Sequence, residues 1–337
     1  MVAEYVKAVR HGASAAGRVH RDLEVRARLE SGGGAVNVFG LIHELKVPLL
    51  LRPLDGLLGA YLNFPAHGIL VTTERQMSIQ RFTAAHELGH CLMDHQPSLD
   101  DEDSILRRMP VNLEPGHDHQ EVEADAFAVA FLMPKWLVAM HMRLQGWVVA
   151  DLRRPNVVYQ LSLRLGVSYE AICWTLVRYR MMPNKLAREV LKTRPRALKE
   201  ALLADHRPPN YRGDVWLLTE RDAGTRIDGS RNDLFVLKLK EHSNGGYLWN
   251  LDELKASGFA IVQNEVEGVE PDSIGDPGIR RVTAQPPEDY RGRLVLDEAR
   301  PWDPTQSLSR LELDMDFTGP EAIGLSRAER RHMLEAA

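Results

Sequence analysis

Residues 82–95, Phe-Thr-Ala-Ala-His-Glu-Leu-Gly-His-Cys-Leu-Met-Asp-His, constrain the chain more than any other stretch. On a helix, His86 and His90 stand four residues apart on one face. Two neutral imidazoles placed this way can hold one Zn²⁺ at about 2.0–2.1 Å per nitrogen. Glu87 then sits beside the metal without binding it, placed to take a proton from a water activated there. Phe82, Ala85, Leu88 and Leu92 make one side of this helix apolar, as a buried helix requires. Cys91 points away from the histidine pair by periodicity and reads as a small core residue.

A catalytic zinc needs a third protein ligand and leaves its fourth position for water. The helix expected over Gln120–Met133 supplies candidates, with Ala124, Phe127, Ala128 and Phe131 as its packing face and Pro134 as its stop. Glu121 and Asp125 share a face at i, i+4. One such carboxylate can bind zinc while the next accepts the N–H of a ligand histidine and fixes its tautomer. Glu123 lies about 200° around the helix from Glu121 and is the weaker ligand candidate. His117 and His119, flanking Asp118, are a candidate cluster that reads rather as solvated loop histidines. Tyr61, His117 and His119 are the candidates for stabilising an oxyanion.

These linked motifs, Arg81 to His90, Glu121 to Ala128 and Leu132-Met133-Pro134, resemble the ImmA/IrrE family of metallopeptidases over roughly residues 30–180. The resemblance implies a gluzincin-like zinc site with its third ligand at Glu121. It also implies cleavage of helix-turn-helix transcriptional repressors, which switches on stress-response or mobile-element genes.

The rest of the chain is read around that domain. Its 337 residues suggest two or three domains. A net charge of −5 gives no global basic field for nucleic acid. Two cysteines, Cys91 and Cys173, provide no disulfide framework and fit a reducing cytoplasm. Neither a signal peptide nor a run of 18 apolar residues is found, so a cytoplasmic protein without membrane spans is expected.

In chain order, residues 1–30 read as helical, with a break at Ser31–Gly34. A helix over 35–46 follows, then strands at 47–52, 59–62 and 68–72 before the histidine helix. Residues 96–118 read as a surface loop with a short helix around Asp103–Met109. Helices are expected at 135–145, 155–165, 169–179 and 183–205. Within them, residues 160–172 have a helix-turn-helix cadence, Gly166 ending one helix and Ser168 capping the next. The second helix carries Trp174, Leu176 and Val177, and Arg178 and Arg180 are too few for a phosphate footprint. Packing or substrate docking is therefore favoured over direct DNA binding. Lys192, Arg194, Arg196 and Lys199 read as a solvated basic face.

His206–Asn210 is the best domain boundary. Beyond it, period-two strands at 215–218, 234–239, 259–262, 292–296 and 311–317 suggest a β-sandwich. Ser243-Asn244-Gly245-Gly246-Tyr247-Leu248-Trp249, Gly275-Asp276-Pro277-Gly278 and Arg300-Pro301-Trp302 are similar to the three loops of chagasin-like cysteine-peptidase inhibitors, over about 210–318. That resemblance implies an immunoglobulin-like sandwich. The family's Thr-rich stretch before Gly-Tyr is replaced here by Asn244-Gly245. Tyr247, Trp249, Arg300 and Trp302 are candidate substrate or partner contacts; the aromatics are equally candidates for sandwich core or loop anchors.

The fold class expected is α+β multidomain: a zincin-like (gluzincin) metallopeptidase domain at 1–134, a helical segment at 135–207, an immunoglobulin-like β-sandwich at 210–318 and a tail at 319–337. The function expected is a zinc endopeptidase, with His86, His90 and Glu121 as ligands, Glu87 as the general base and Asp125 behind a ligand histidine. Its partner would be a protein substrate, a transcriptional repressor. The alternatives are a non-catalytic regulator binding a repressor or DNA, and an inhibitor acting through the sandwich.

Overall fold

A computed structural model describes residues 2–63, 67–97, 99–101, 119–267 and 277–336. The expected short helix at 103–109, His117, Asp118, and Gly275 and Asp276 of the second sandwich loop lie outside them. The chain opens with α1 (Val2–Asp22) and α2 (Val25–Gly32). The single helical segment expected here is broken at Glu24, whose φ of 49° is left-handed and ends α1. Next come α3 (Val38–Glu44), β1 (Leu49–Arg52), β2 (Leu57–Leu62), β3 (Gly68–Thr72), α4 (Met77–Leu92), β4 (Leu99–Asp101) and α5 (His119–Leu132). β1 and β3 run parallel, with Leu50 opposite Leu70, while β2 is antiparallel to both β3 and β4. The histidine helix α4 lies across β2 and β3, and α1 lies along α5.

The helical segment contains α6 (Lys135–Leu144), α7 (Pro155–Leu165), α8 (Tyr169–Arg178), α9 (Asn184–Val190) and α10 (Pro195–Leu203). The helix expected over 183–205 is two helices. Pro195 has no N–H to continue the first and forces Arg194 extended, at ψ 149°. Gly166 closes α7 in the left-handed conformation at φ 64°, and the Ser168 hydroxyl accepts from the Ala171 amide to open α8. Ile172, Cys173, Trp174, Thr175 and Leu176 of α8 are buried. Of the basic residues at 192–199, Lys199 is not solvated: it is buried and pairs with Asp214 at 3.0 Å.

The C-terminal half is a sandwich of two sheets, with α11 (Asp252–Ala256) beside it. One sheet holds β5 (Val215–Leu218), β7 (Leu234–Glu241), β10 (Gly278–Gln285) and β9 (Ala260–Glu267), in that order. The other holds β6 (Thr225–Asp228), β12 (Asp303–Asp316), β11 (Arg291–Arg300) and β8 (Leu248–Trp249). Inward residues of both sheets, among them Trp216, Phe235, Leu237, Leu296, Leu313 and Phe317, share one core. β10 was not expected from the sequence, because Arg280 and Arg281 interrupt its apolar pattern. Its charges are absorbed across the sheet, Arg280 by Glu241 at 2.8 Å and Arg281 by Glu267 at 3.1 Å.

The halves are stitched together along α7 and again by the tail, besides the Lys199–Asp214 pair. Gln160 of α7 bonds the β5 backbone at the Val215 carbonyl and the Leu217 amide, both at 2.8 Å, and Arg164 pairs with buried Asp222 at 2.7 Å. The tail then returns to the first domain. Glu321 exchanges backbone hydrogen bonds with the Gln80 side chain, β13 (Gly324–Leu325) adds to the edge of β1, and α12 (Arg327–Ala336) reaches α3. No helix among the described residues is long and apolar enough to cross a membrane.

Candidate metal centre

From Gln80 to His90 the α4 helix is buried at every position except half-buried Phe82. It is thus enclosed on nearly all sides rather than along one stripe, and Leu92, expected on the apolar face, is 38% exposed. Cys91 is half-buried and free rather than a core residue, and desolvation raises the pKa of its thiol.

His86 Nε2 and His90 Nε2 stand 3.0 Å apart. The Glu121 carboxylate closes the triangle from α5, at 3.3 Å from His86 Nε2 and 3.5 Å from His90 Nε2. A tetrahedral ion with bonds of about 2.0–2.1 Å sets its ligand atoms about 3.4 Å apart. Two imidazole nitrogens and a carboxylate that reaches the first with Oε2 and the second with Oε1 therefore present a donor set that fits zinc. Among the described residues this is the cluster that could hold a metal ion, and His119, exposed at the start of α5, does not join it. Glu121 keeps 17% of its side chain exposed, whereas both histidines are fully buried.

The other nitrogens of the two histidines are held differently. His86 Nδ1 lies 2.9 Å from Asp125 Oδ1, one turn beyond Glu121. His90 Nδ1 lies 3.0 Å from Nδ1 of buried His95. His95 Nε2 is in turn 3.1 Å from Glu123 Oε2, which also meets His11 Nδ1 of α1 at 2.8 Å. Burial pushes the His95 pKa down, against the upward pull of Glu123. Sequence reasoning found Asp125 but gave His95 no role and weighed Glu123 only as a ligand. The helix ending places His95. Asp94 is left-handed at φ 53°, the His95 amide bonds the His90 carbonyl at 3.1 Å, and the Asp94 amide bonds the Cys91 carbonyl at 3.4 Å. This is a Schellman ending, in which the side chain after the left-handed residue folds back onto the one five positions earlier.

Glu87 is fully buried beside β2. A Cβ at Gly59 would lie 2.4 Å from Thr83 Cγ2 and 2.9 Å from Glu87 Oε1, so only glycine leaves room for this carboxylate. Tyr61 is buried with its hydroxyl 2.9 Å from His67 Nδ1, and desolvation raises its pKa.

In the sandwich, the Arg300 guanidinium lies 4.5 Å over the Tyr247 ring and donates to the Gly245 carbonyl at 3.2 Å. Trp302 is 72% exposed above Gly246. Trp249 is a core residue rather than a contact surface: it is buried and its indole N–H donates to the Lys240 carbonyl at 2.7 Å.

Residues 44–177 match the Peptidase_M78 family, the IrrE N-terminal-like domain. That span holds α4, α5 and the helices through most of α8, so His86, His90 and Glu121 lie wholly within the matched residues. The C-terminal region is similar to Amoebiasin-2 of Entamoeba histolytica, 28% identical over 91 residues, which are 26% of this chain and 73% of that protein. The chain is also similar to a crystal structure of the cysteine protease inhibitor EhICP2 from Entamoeba histolytica, at 25% identity. That match covers 31% of this chain and 94% of the other, with a TM-score of 0.25. The solution structure of Amebosin is matched at 23% identity over 30% of this chain and 95% of that one, with a TM-score of 0.26.

Proposed function

We propose that the chain is a zinc-dependent endopeptidase acting on a protein substrate. The observation that carries this reading is the convergence of His86, His90 and Glu121 within one buried centre, with Glu87 next to a ligand on the same helix. Zn²⁺ held by those three residues would supply a Lewis acid for a peptide carbonyl and for water. Glu87 takes the proton of the attacking water and delivers it to the departing amide nitrogen. Asp125 accepts the His86 Nδ1–H and so keeps Nε2 free of a proton and turned inward.

The substrate proposed is a helix-turn-helix transcriptional repressor in the cytoplasm, supported by the IrrE-like domain. Its cleavage would release a stress-response or mobile-element programme. The sandwich edge of Tyr247, Arg300 and Trp302 offers a rigid aromatic surface for a protein partner, either to recruit the substrate or to hold the centre shut. The chagasin-like resemblance of the C-terminal region favours a second reading for that edge, in which it binds a cysteine peptidase.

The test is to incubate the zinc-loaded protein with the helix-turn-helix repressor encoded beside its gene, with and without candidate activators. Cleavage should fall by about 10²–10⁴-fold in Glu87→Gln. Equal cleavage by that variant would defeat the mechanism. Inhibition of papain by the full chain, lost in Trp302→Ala, would establish the second reading.

A further inference from the structure

We infer that His95 and Glu123 are positioning residues for the metal ligand His90, doing through two side chains what Asp125 does for His86 through one. The inference rests on the zinc reading and deepens it. To offer a lone pair from Nε2, His90 must carry its proton on Nδ1. That N–H needs an acceptor, and the atom at 3.0 Å is Nδ1 of His95. His95, accepting there, holds its own proton on Nε2 and donates it to Glu123 Oε2 at 3.1 Å. The same oxygen accepts from His11 Nδ1 at 2.8 Å. Every donor in the series points toward one carboxylate.

The reverse order fails at both ends. Were His95 to donate to His90, the His90 proton would sit on Nε2, 3.0 Å from His86 Nε2, where a ligand lone pair is needed. A lone pair of His95 would then face the Glu123 carboxylate. The metal and the carboxylate thus select the same tautomers.

Geometry explains why two side chains are used. Glu123 is two residues from both Glu121 and Asp125 on α5, about 200° around the helix, so its carboxylate faces away from the ligand triangle. The Schellman ending of α4 swings His95 into the gap between His90 and Glu123. α1 closes the far side, because Gly12 lets it press against the Glu123 carbonyl and so delivers the neighbouring His11.

The experiment measures the zinc dissociation constant by competition with a chromophoric chelator, alongside thermal unfolding of the metal-free protein. His95→Phe and Glu123→Ala should each weaken zinc binding about 10–100-fold, the usual effect of losing an outer support of a ligand. His95→Gln can accept from His90 and donate to Glu123, and should recover most of that loss. His11→Ala, at the exposed end, should change affinity by less than about 3-fold, within the contribution of an exposed pair. A purely structural role would lower the metal-free melting temperature and leave the dissociation constant unchanged. If His95→Phe does not fold, Glu123→Ala carries the measurement by itself. Wild-type binding of one zinc with both supports removable at less than twofold cost would overturn this inference alone. Failure of the wild-type chain to bind zinc would overturn the metal centre and the inference together.

Discussion

Substituting Asp222 by alanine tests whether the two halves of the chain are mechanically one. Asp222 is 1% exposed and accepts from Arg164 Nη2 at 2.7 Å, Arg164 Nε at 3.2 Å, Gln145 Nε2 at 2.7 Å and the Thr219 amide at 2.9 Å. Its removal strands a guanidinium whose side chain is 4% exposed. Breaking one side of a buried pair costs about 3–5 kcal/mol. Arg164 keeps the Gln160 and Leu217 carbonyls and lies 5.5 Å over the Trp147 ring. The expected loss is therefore at the low end of that range, about 3 kcal/mol. Asp222→Asn keeps one acceptor and should lose about 1–2 kcal/mol. Replacing both partners, as Arg164→Met with Asp222→Leu, leaves no charge behind and should recover most of the loss. Calorimetry is the assay, because the pair lies on the seam between α7 and the sandwich. Loosening it should split a cooperative transition into two, with the halves melting separately. A loss below about 1 kcal/mol for Asp222→Ala, or a double variant worse than the single, would refute the reasoning.

Acid should destabilise the fold through His141, whose Nε2–H donates to the Gly34 carbonyl at 3.0 Å and whose pKa burial depresses to about 4. The unfolded residue titrates near 6.5, so between those values the unfolded chain binds the extra proton. Stability is then fully present above about pH 6.5 and falls by about 3 kcal/mol as pH drops to about 4. His20, also depressed by burial, adds to the same slope. His141→Gln keeps a donor for Gly34 and should flatten the curve of denaturation midpoint against pH; an unchanged curve would discount His141. Gly12→Ala would set a Cβ 2.0 Å from the Glu123 carbonyl oxygen. Overpacking of this kind costs about 1–3 kcal/mol, more than the roughly 1 kcal/mol that alanine gains over glycine in a helix. A variant as stable as wild type in urea would show that α1 can move away freely.

Local periodicity made much of this molecule legible. His86, His90, Glu121 and Asp125 depend on helical spacing, and the structure brings all four together. Gly166 and Ser168 mark a turn that any reader of helix ends would find. Short uninterrupted apolar runs, such as 215–218, were equally visible as strands. Features set by distant partners were not. β10 hides behind two arginines whose charges are neutralised by Glu241 and Glu267, residues far away in sequence. Lys199 looks solvated until the sandwich supplies Asp214. Trp249 sits in a loop motif, yet its pairing with β11 turns it into the core. The return of β13 to β1 is a pairing across nearly the whole chain that no local pattern encodes. His95 is the instructive case. Its signal was local, a left-handed Asp94 after a histidine helix, but a helix ending acquires meaning only when the side chain it places has a partner.

The most direct test is the metal content of the purified chain and its variants by elemental analysis. The ligand assignment predicts one zinc per wild-type chain, one per Glu87→Gln chain, and loss of zinc from His86→Ala, His90→Ala and Glu121→Ala. Glu123→Ala should still take up zinc when it is supplied in excess, because Glu123 supports a ligand without being one. A wild-type chain free of zinc, or a Glu121→Ala chain that retains it as firmly as wild type, would contradict the account.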